Sequence, residues 1–210
     1  MPLQNRVTPE GDVVAVAERG TMFGVRGGCF HRPDKTLRPR KYASKQWICC
    51  LLQFKGRRRK LMQPGLYTEL FFLDEATAWA AGHRPCFECR RADAVRFAET
   101  WNAIEGFGGR AAAPDMDERL HRERIDRQGR KVPWVANFGT LPDGVMVRRQ
   151  GLIGLVHAQR LLPWSFSGYG PAQRVTESLD VDVLTPLSTV EVIRMGYGPG
   201  VHHSAGSRRV

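Results

Sequence analysis

Two thiols, Cys86 and Cys89, stand three positions apart in the stretch GHRPCFECRR, residues 82–91. A turn or a helix start brings side chains at this spacing to one side, so both thiolates can address a single ion. Zinc favours thiolate ligands, and one such pair supplies half of a tetrahedral site. The same spacing also serves thiol redox chemistry. The chain holds five cysteines. An odd number in a reducing compartment argues for free or metal-bound thiols over a disulfide framework.

A second kind of chemistry lies in the charge. Residues 32–60 carry eleven lysines and arginines against the single acid Asp34, which accounts for nearly all of the net charge of +11. Such concentration attracts polyanions through phosphate neutralisation and counterion release. The run KGRRRK supplies the densest part. Lys55, Arg57, Arg58, Arg59 and Lys60 are the expected phosphate contacts, joined by Arg84, Arg90 and Arg91 around the cysteine pair. Tyr42 and Trp47 are interleaved with the charges and suit either stacking on bases or filling the core. The plainer alternative is a solvated basic face.

A third cluster sits in DMDERLHRERIDRQ, residues 115–128, where Asp117, His121 and Arg124 fall on one helical face with Glu118 and Glu123 nearby. Asp117, His121 and Glu118 are the candidate catalytic residues, since an Asp-His pair at this spacing can orient an imidazole or bind a divalent ion. The favoured reading is nevertheless an exposed helix steadied by opposite charges three and four apart. Neither a P-loop, a nucleophile elbow nor a dinucleotide-binding glycine fingerprint occurs.

The elements that must position these groups can be read from pattern. Short strands are predicted at 13–18 and 22–25. WICCLLQF at 47–54 forms an apolar strand, and LYTELFF at 66–72 is its expected antiparallel partner across the basic turn. Asp74 is placed as the N-cap of a helix through EATAWAA that Gly82 ends. A second helix starts near Cys89 and runs to Ile104, and a third covers 115–128. Strands follow at 132–138, 144–149, 152–159 and 181–186. A last helix begins at Ser188, whose spacing from Glu191 is that of a capping box. His202 and His203 fall in a tail expected to fray. Strands and helices do not alternate, so the fold class is α+β: a small antiparallel strand pair plus helix carrying the Cys-x-x-Cys, with a strand-rich C-terminal half. The division expected is a basic metal-binding region, 1–108, and a helix-plus-strand region, 109–210, packed as one unit. The opening residues lack a signal-peptide layout and no apolar run is long enough to span a bilayer, so a cytoplasmic protein is expected.

EATAWAAGHRPCFECRR resembles the second half of the zinc-binding module of Ada-type DNA-repair methyltransferases. Ala80, Ala81, Gly82, Arg84, Pro85, Cys86 and Cys89 match that pattern, with His83 in an aromatic place. The resemblance covers about residues 47–91. It implies a four-cysteine zinc site, with Cys49 and Cys50 beside Cys86 and Cys89, and binding to the DNA backbone. The family separates its first two cysteines by three residues, whereas here they are adjacent. Neighbours in a strand point to opposite faces. Cys50, in phase with Ile48, Leu52 and Phe54, is therefore the preferred third ligand. Cys49, Cys29, His31, His83 or a water remain for the fourth place.

The function expected is that of a zinc-binding protein that contacts nucleic acid, DNA in the first instance, in repair or regulation. The alternatives are a metal- or thiolate-dependent enzyme acting on nucleic acid, by cleavage or alkyl transfer, and a structural protein that binds a partner.

Overall fold

The computed structural model describes residues 1–57 and 60–206. The N-terminal part builds a six-stranded mixed sheet from β1 (Arg6–Val7), β2 (Val13–Val14), β3 (Met22–Arg26), β4 (Trp47–Leu51), β5 (Leu70–Phe72) and β6 (Arg84–Pro85), in the order β2-β1-β5-β3-β4-β6. The strand expected at 13–18 is thus only two residues long. Helices α1 (Glu75–Ala80), α2 (Arg91–Ile104) and α3 (Ala113–Arg124) follow or interrupt this sheet. The second sheet contains β7 (Trp134–Asn137), β8 (Met146–Arg149), β9 (Leu152–His157), β10 (Arg160–Ser165), β11 (Gly168–Tyr169), β12 (Gln173–Arg174) and β13 (Asp180–Val183). It is antiparallel throughout, in the order β11-β10-β9-β8-β13-β7, with β12 also on β10. Helix α4 (Leu187–Arg194) follows. The class is α+β.

One pairing differs from expectation. The strands at 47–51 and 70–72 do not pair with each other; both flank β3, which pairs Phe23 with Cys50 on one side and with Phe71 on the other. The described residues between them include separate turns at 55–56, 61–62 and 64–65, and Leu51 and Leu52 already face solvent, so β4 stops there. Position 24 lies at the crossing. A Cβ there would sit 2.5 Å from the Ile48 carbonyl oxygen and 2.8 Å from the Phe72 ring, so only glycine lets the strands close.

Local signals govern the helix that precedes the cysteines. Asp74 caps α1, its Oδ1 accepting from the Thr77 backbone N–H at 2.9 Å and from the Thr77 hydroxyl. Gly82 follows α1 with φ +84°, the left-handed conformation that ends a helix. Its bare Cα also admits Arg124, whose side chain would lie within 2.4 Å of a Cβ.

Ser188 behaves differently from its expected role. Pro186 is the N-cap of α4, and the Ser188 backbone N–H and hydroxyl both donate to Glu123 on α3. Tertiary pairing has taken over the hydroxyl that a capping box would use. The tail is likewise tied down, since the His202 N–H donates to Asp74 Oδ2 at 2.8 Å and His203–Ala205 form a short 3₁₀ turn.

The largest apolar cluster crosses both sequence regions, joining Trp79, Phe97, Trp101 and Leu120 to Val147, Val156, Val183 and Val190. Trp79 is fully buried, and truncation of a core tryptophan to alanine costs about 3–5 kcal/mol. Polar ties reinforce the join. Tyr169 donates its hydroxyl to Asp74 at 2.7 Å, and Trp164 donates Nε1–H to the Thr77 hydroxyl at 3.0 Å. No helix among the described residues is long and apolar enough to cross a membrane.

Candidate metal centre

Three cysteines arrive at one point by three routes. Cys50 lies on β4, Cys86 follows β6, and Cys89 closes the turn before α2. Strands β4 and β6 run parallel, Ile48 opposite Arg84 and Cys49 opposite Pro85, and the Cys86 N–H donates to the Cys49 carbonyl at 3.0 Å. That register sets Cys86 beside Cys50, and the turn brings Cys89 back to both. Their three sulfurs lie within 4.8 Å of one another. Tetrahedral zinc, with Zn–S about 2.3 Å, needs sulfurs about 3.8 Å apart, so small side-chain rotations suffice.

The surroundings favour thiolates. The Leu51 N–H donates to Cys89 Sγ and the Glu88 N–H to Cys86 Sγ, each at 3.4 Å. Within the trio, the Cys50 thiol and then the Cys89 thiol hydrogen-bond to Cys86 and pull its pKa far down, while the same bond to Cys86 pushes Cys50 far up. The neighbouring thiols thus favour a thiolate at Cys86, and three thiolates together would require a cation.

Cys49 is not part of the set. It points to the opposite face of β4, fully buried among Val7, Val13, Phe30, Leu70 and Phe72. Burial, and then the charge of Glu75, raise its thiol well above the ordinary value. The alternation of a strand separates adjacent cysteines, and no bulge overrides it here. The other proposed fourth ligands are engaged elsewhere. His31 holds Thr68 Oγ1 at 2.7 Å and the Gln63 carbonyl at 3.2 Å, with Cys29 beside it. His83 is buried between Trp47 and Phe72, its Nδ1 on the Ala78 carbonyl. Burial first, and then Arg26 and Arg124, keep His83 neutral. Among the described residues, no fourth histidine, cysteine or carboxylate joins the three sulfurs. The donor set fits zinc and leaves its fourth position open.

The basic residues separate into two groups. Arg84 is buried and bidentate to Asp117, and Arg90 is largely buried between Glu75 and Asp93. Neither can reach a phosphate, because its guanidinium already saturates internal carboxylates. Lys55, Arg57, Lys60 and Arg91 are exposed. Arg57 reaches across to Glu88, inside the Cys-x-x-Cys turn, at 2.6 Å. Arg58 and Arg59 lie outside the described residues.

The helical cluster also comes apart. Asp117 faces inward to Arg84, Glu118 faces outward to Lys45 and Arg122, and His121 packs edge-on to Tyr42. His121 Nδ1 lies 3.0 Å from Arg124 Nη2, which only donates, so this nitrogen is an acceptor and the ring is neutral. Burial, then Arg124 and Lys45, lower its pKa to about 4. Asp117 and His121 therefore do not form an acid–base pair. Sequence spacing held no sign of two cations nearby, Arg26 and Lys131, which come from distant segments to line the same cleft as Arg124.

No family model matches the chain, and no curated protein or solved structure matches it either.

Proposed function

We propose that this is a zinc-thiolate protein that binds nucleic acid through the basic segment anchored at its metal site. The carrying observation is the convergence of Cys50, Cys86 and Cys89 within 4.8 Å, with exposed Arg57 paired to Glu88 inside the cysteine turn. Exposed Arg91 lies two positions after Cys89, and Lys55 and Lys60 are exposed in the same basic segment as Arg57. Zinc held by the three thiolates would tie β4, β6 and the start of α2 into one rigid support. The Leu51 and Glu88 amides orient the sulfurs, and the Arg57–Glu88 pair ties Arg57 to the cysteine turn. A fixed array of cations binds phosphates with less ordering cost than a free loop.

The test uses metal-loaded protein and fluorescently labelled duplex DNA and RNA, read by anisotropy across a salt series. Arg57→Ala, Lys60→Ala and Arg91→Ala together are expected to weaken binding. The log–log salt slope on B-DNA should flatten by about 0.9 for each phosphate no longer neutralised. Unchanged affinity and slope would overturn the assignment.

The open fourth position favours one second reading, a hydrolytic or alkyl-accepting activity on the bound nucleic acid. Incubation with plasmid and with alkylated DNA decides it. Strand cleavage, or a mass gain on Cys50, Cys86 or Cys89, marks an enzyme, and retention without turnover marks a binder.

A further inference from the structure

Away from the three sulfurs, a cleft of about 890 Å³ opens between β3, the loop before β4 and the segment after α3. Seven arginines and lysines line it against two acids, Glu10 and Asp12. Three of the cations are drawn into the protein. Arg26 and Arg124 are buried, their guanidinium carbons 3.9 and 4.0 Å from the Trp47 ring centre. Lys131 extends inward to donate to the Ala80 carbonyl while part of it remains exposed.

Their partners are neutral. Arg26 donates to the Gly11 carbonyl at 2.9 Å, and Arg124 to the carbonyls of Gly82 and Lys45. The Arg124 Nε–H is buried and has no hydrogen-bond partner. Asp117 is bound by Arg84 and Glu10 is paired with Arg148 at 2.6 Å, and Asp12, which lines the cleft, acts on Arg26 through its charge without an ion-pair contact. Among the described residues no carboxylate forms an ion pair with Arg26, Arg124 or Lys131. Buried arginine is ordinarily matched by a carboxylate or a phosphate. Three converging cations without one repel each other, and burial together with this repulsion lowers Lys131 to about 7 and Arg124 to about 9.

We infer that this cleft is a binding site for a phosphate-bearing anion, held by Arg26, Arg124 and Lys131 with Arg40 at the rim. A phosphate supplies the missing negative charge, and its several oxygens accept from two guanidinium forks and an ammonium at once. Trp47 fixes both guanidinium planes by cation–π contact, so the donors are arranged before the ligand arrives. Arg40, exposed, lies 4.2 Å over the Tyr42 ring at the cleft edge. The phosphate comes either from a free phosphorylated molecule or from the backbone of a single nucleic-acid strand. The site uses none of Lys55, Arg57, Lys60 or Arg91, so it stands whether or not the basic segment binds nucleic acid.

The test compares metal-loaded wild type with Lys131→Met and with Arg40→Gln, an exposed change that leaves the fold alone. Melting is followed in inorganic phosphate and in chloride at equal ionic strength. At about 100 times its Kd, phosphate is expected to raise the wild-type Tm by about 5–10 °C beyond chloride. Lys131→Met is expected to melt higher than wild type without phosphate, since repulsion is relieved, and to lose most of the phosphate-dependent rise. Arg40→Gln is expected to bind phosphate several-fold more weakly at unchanged basal Tm. General salting-out acts equally on all three proteins. An equal phosphate response in wild type and both variants overturns the site, as does no response in wild type. A labelled single-stranded oligonucleotide then separates the sources. Weaker oligonucleotide binding by Lys131→Met identifies backbone phosphate, and oligonucleotide binding unchanged beside a lost phosphate response identifies a free phosphorylated ligand.

Discussion

Arg84 and Asp117 form a buried two-pronged ion pair, Nε to Oδ1 at 2.9 Å and Nη2 to Oδ2 at 2.8 Å. Arg84 immediately precedes the Pro-Cys of the cysteine turn and Asp117 lies on α3, so the pair fixes the turn against a helix from much later in the chain. Two residues that the sequence assigned to phosphate binding and to catalysis prove to be each other's partners.

Breaking that pair leaves a buried charge unmatched. Asp117→Ala is expected to destabilise the protein by about 3–5 kcal/mol. The double variant Arg84→Met/Asp117→Leu, which removes both charges, is expected to lose less than the single. Urea unfolding with the slope held constant measures both. A single variant as stable as wild type would show that the pair contributes nothing.

Zinc content separates the cysteines. Cys50→Ser, Cys86→Ser and Cys89→Ser are each expected to lose the metal, whereas Cys49→Ala retains it, because Cys49 is sealed on the other face of β4. Elemental analysis of reconstituted protein gives the ratio directly. Metal loss in Cys49→Ala with its melting profile unchanged would return Cys49 to the ligand set.

Lys131 makes stability depend on pH. Its pKa is lowered from 10.5 to about 7 by burial first, then by Arg124 and Arg26. Between these values the unfolded chain holds the proton and the folded protein does not, so stability rises as pH increases from about 7 toward 10. Below pH 7 the buried charge persists and the penalty is full. Denaturation midpoints from pH 6 to 9.5 are expected to climb in wild type and to climb less in Lys131→Met. Parallel profiles would refute the assignment.

His121 is expected to titrate near pH 4, well below an ordinary imidazole. Its ring resonances, followed by NMR from pH 3 to 8, should stay those of neutral histidine at pH 6. A midpoint near 6.5 would free it for acid–base chemistry at neutral pH.

Much of the local structure is legible in the residues themselves. Asp74 before a run of helix formers caps α1 as the side chain dictates, and Gly82 ends that helix in a left-handed conformation that glycine adopts without the strain a Cβ would bring. Strand alternation alone set Cys50 apart from Cys49. Ser188 does not cap α4, because a hydroxyl suited to capping finds its acceptor in Glu123, far away in sequence.

The residues alone thus dictated short-range features: the two ends of α1, the strand-rich C-terminal half, the Cys86–Cys89 pair and the preference for Cys50. Helix α3, expected over 115–128, instead spans Ala113–Arg124. Which strands are neighbours and which charges face one another emerged only once the chain was folded. Folding placed β3 between β4 and β5, turned Arg84 and Arg90 inward to acids, and gathered Arg26, Arg124 and Lys131 along one cleft with Trp47. The reason is range. Capping, turns and alternation depend on residues a few positions apart, whereas the fate of a charge depends on whichever distant segment packing brings within a few ångströms of it.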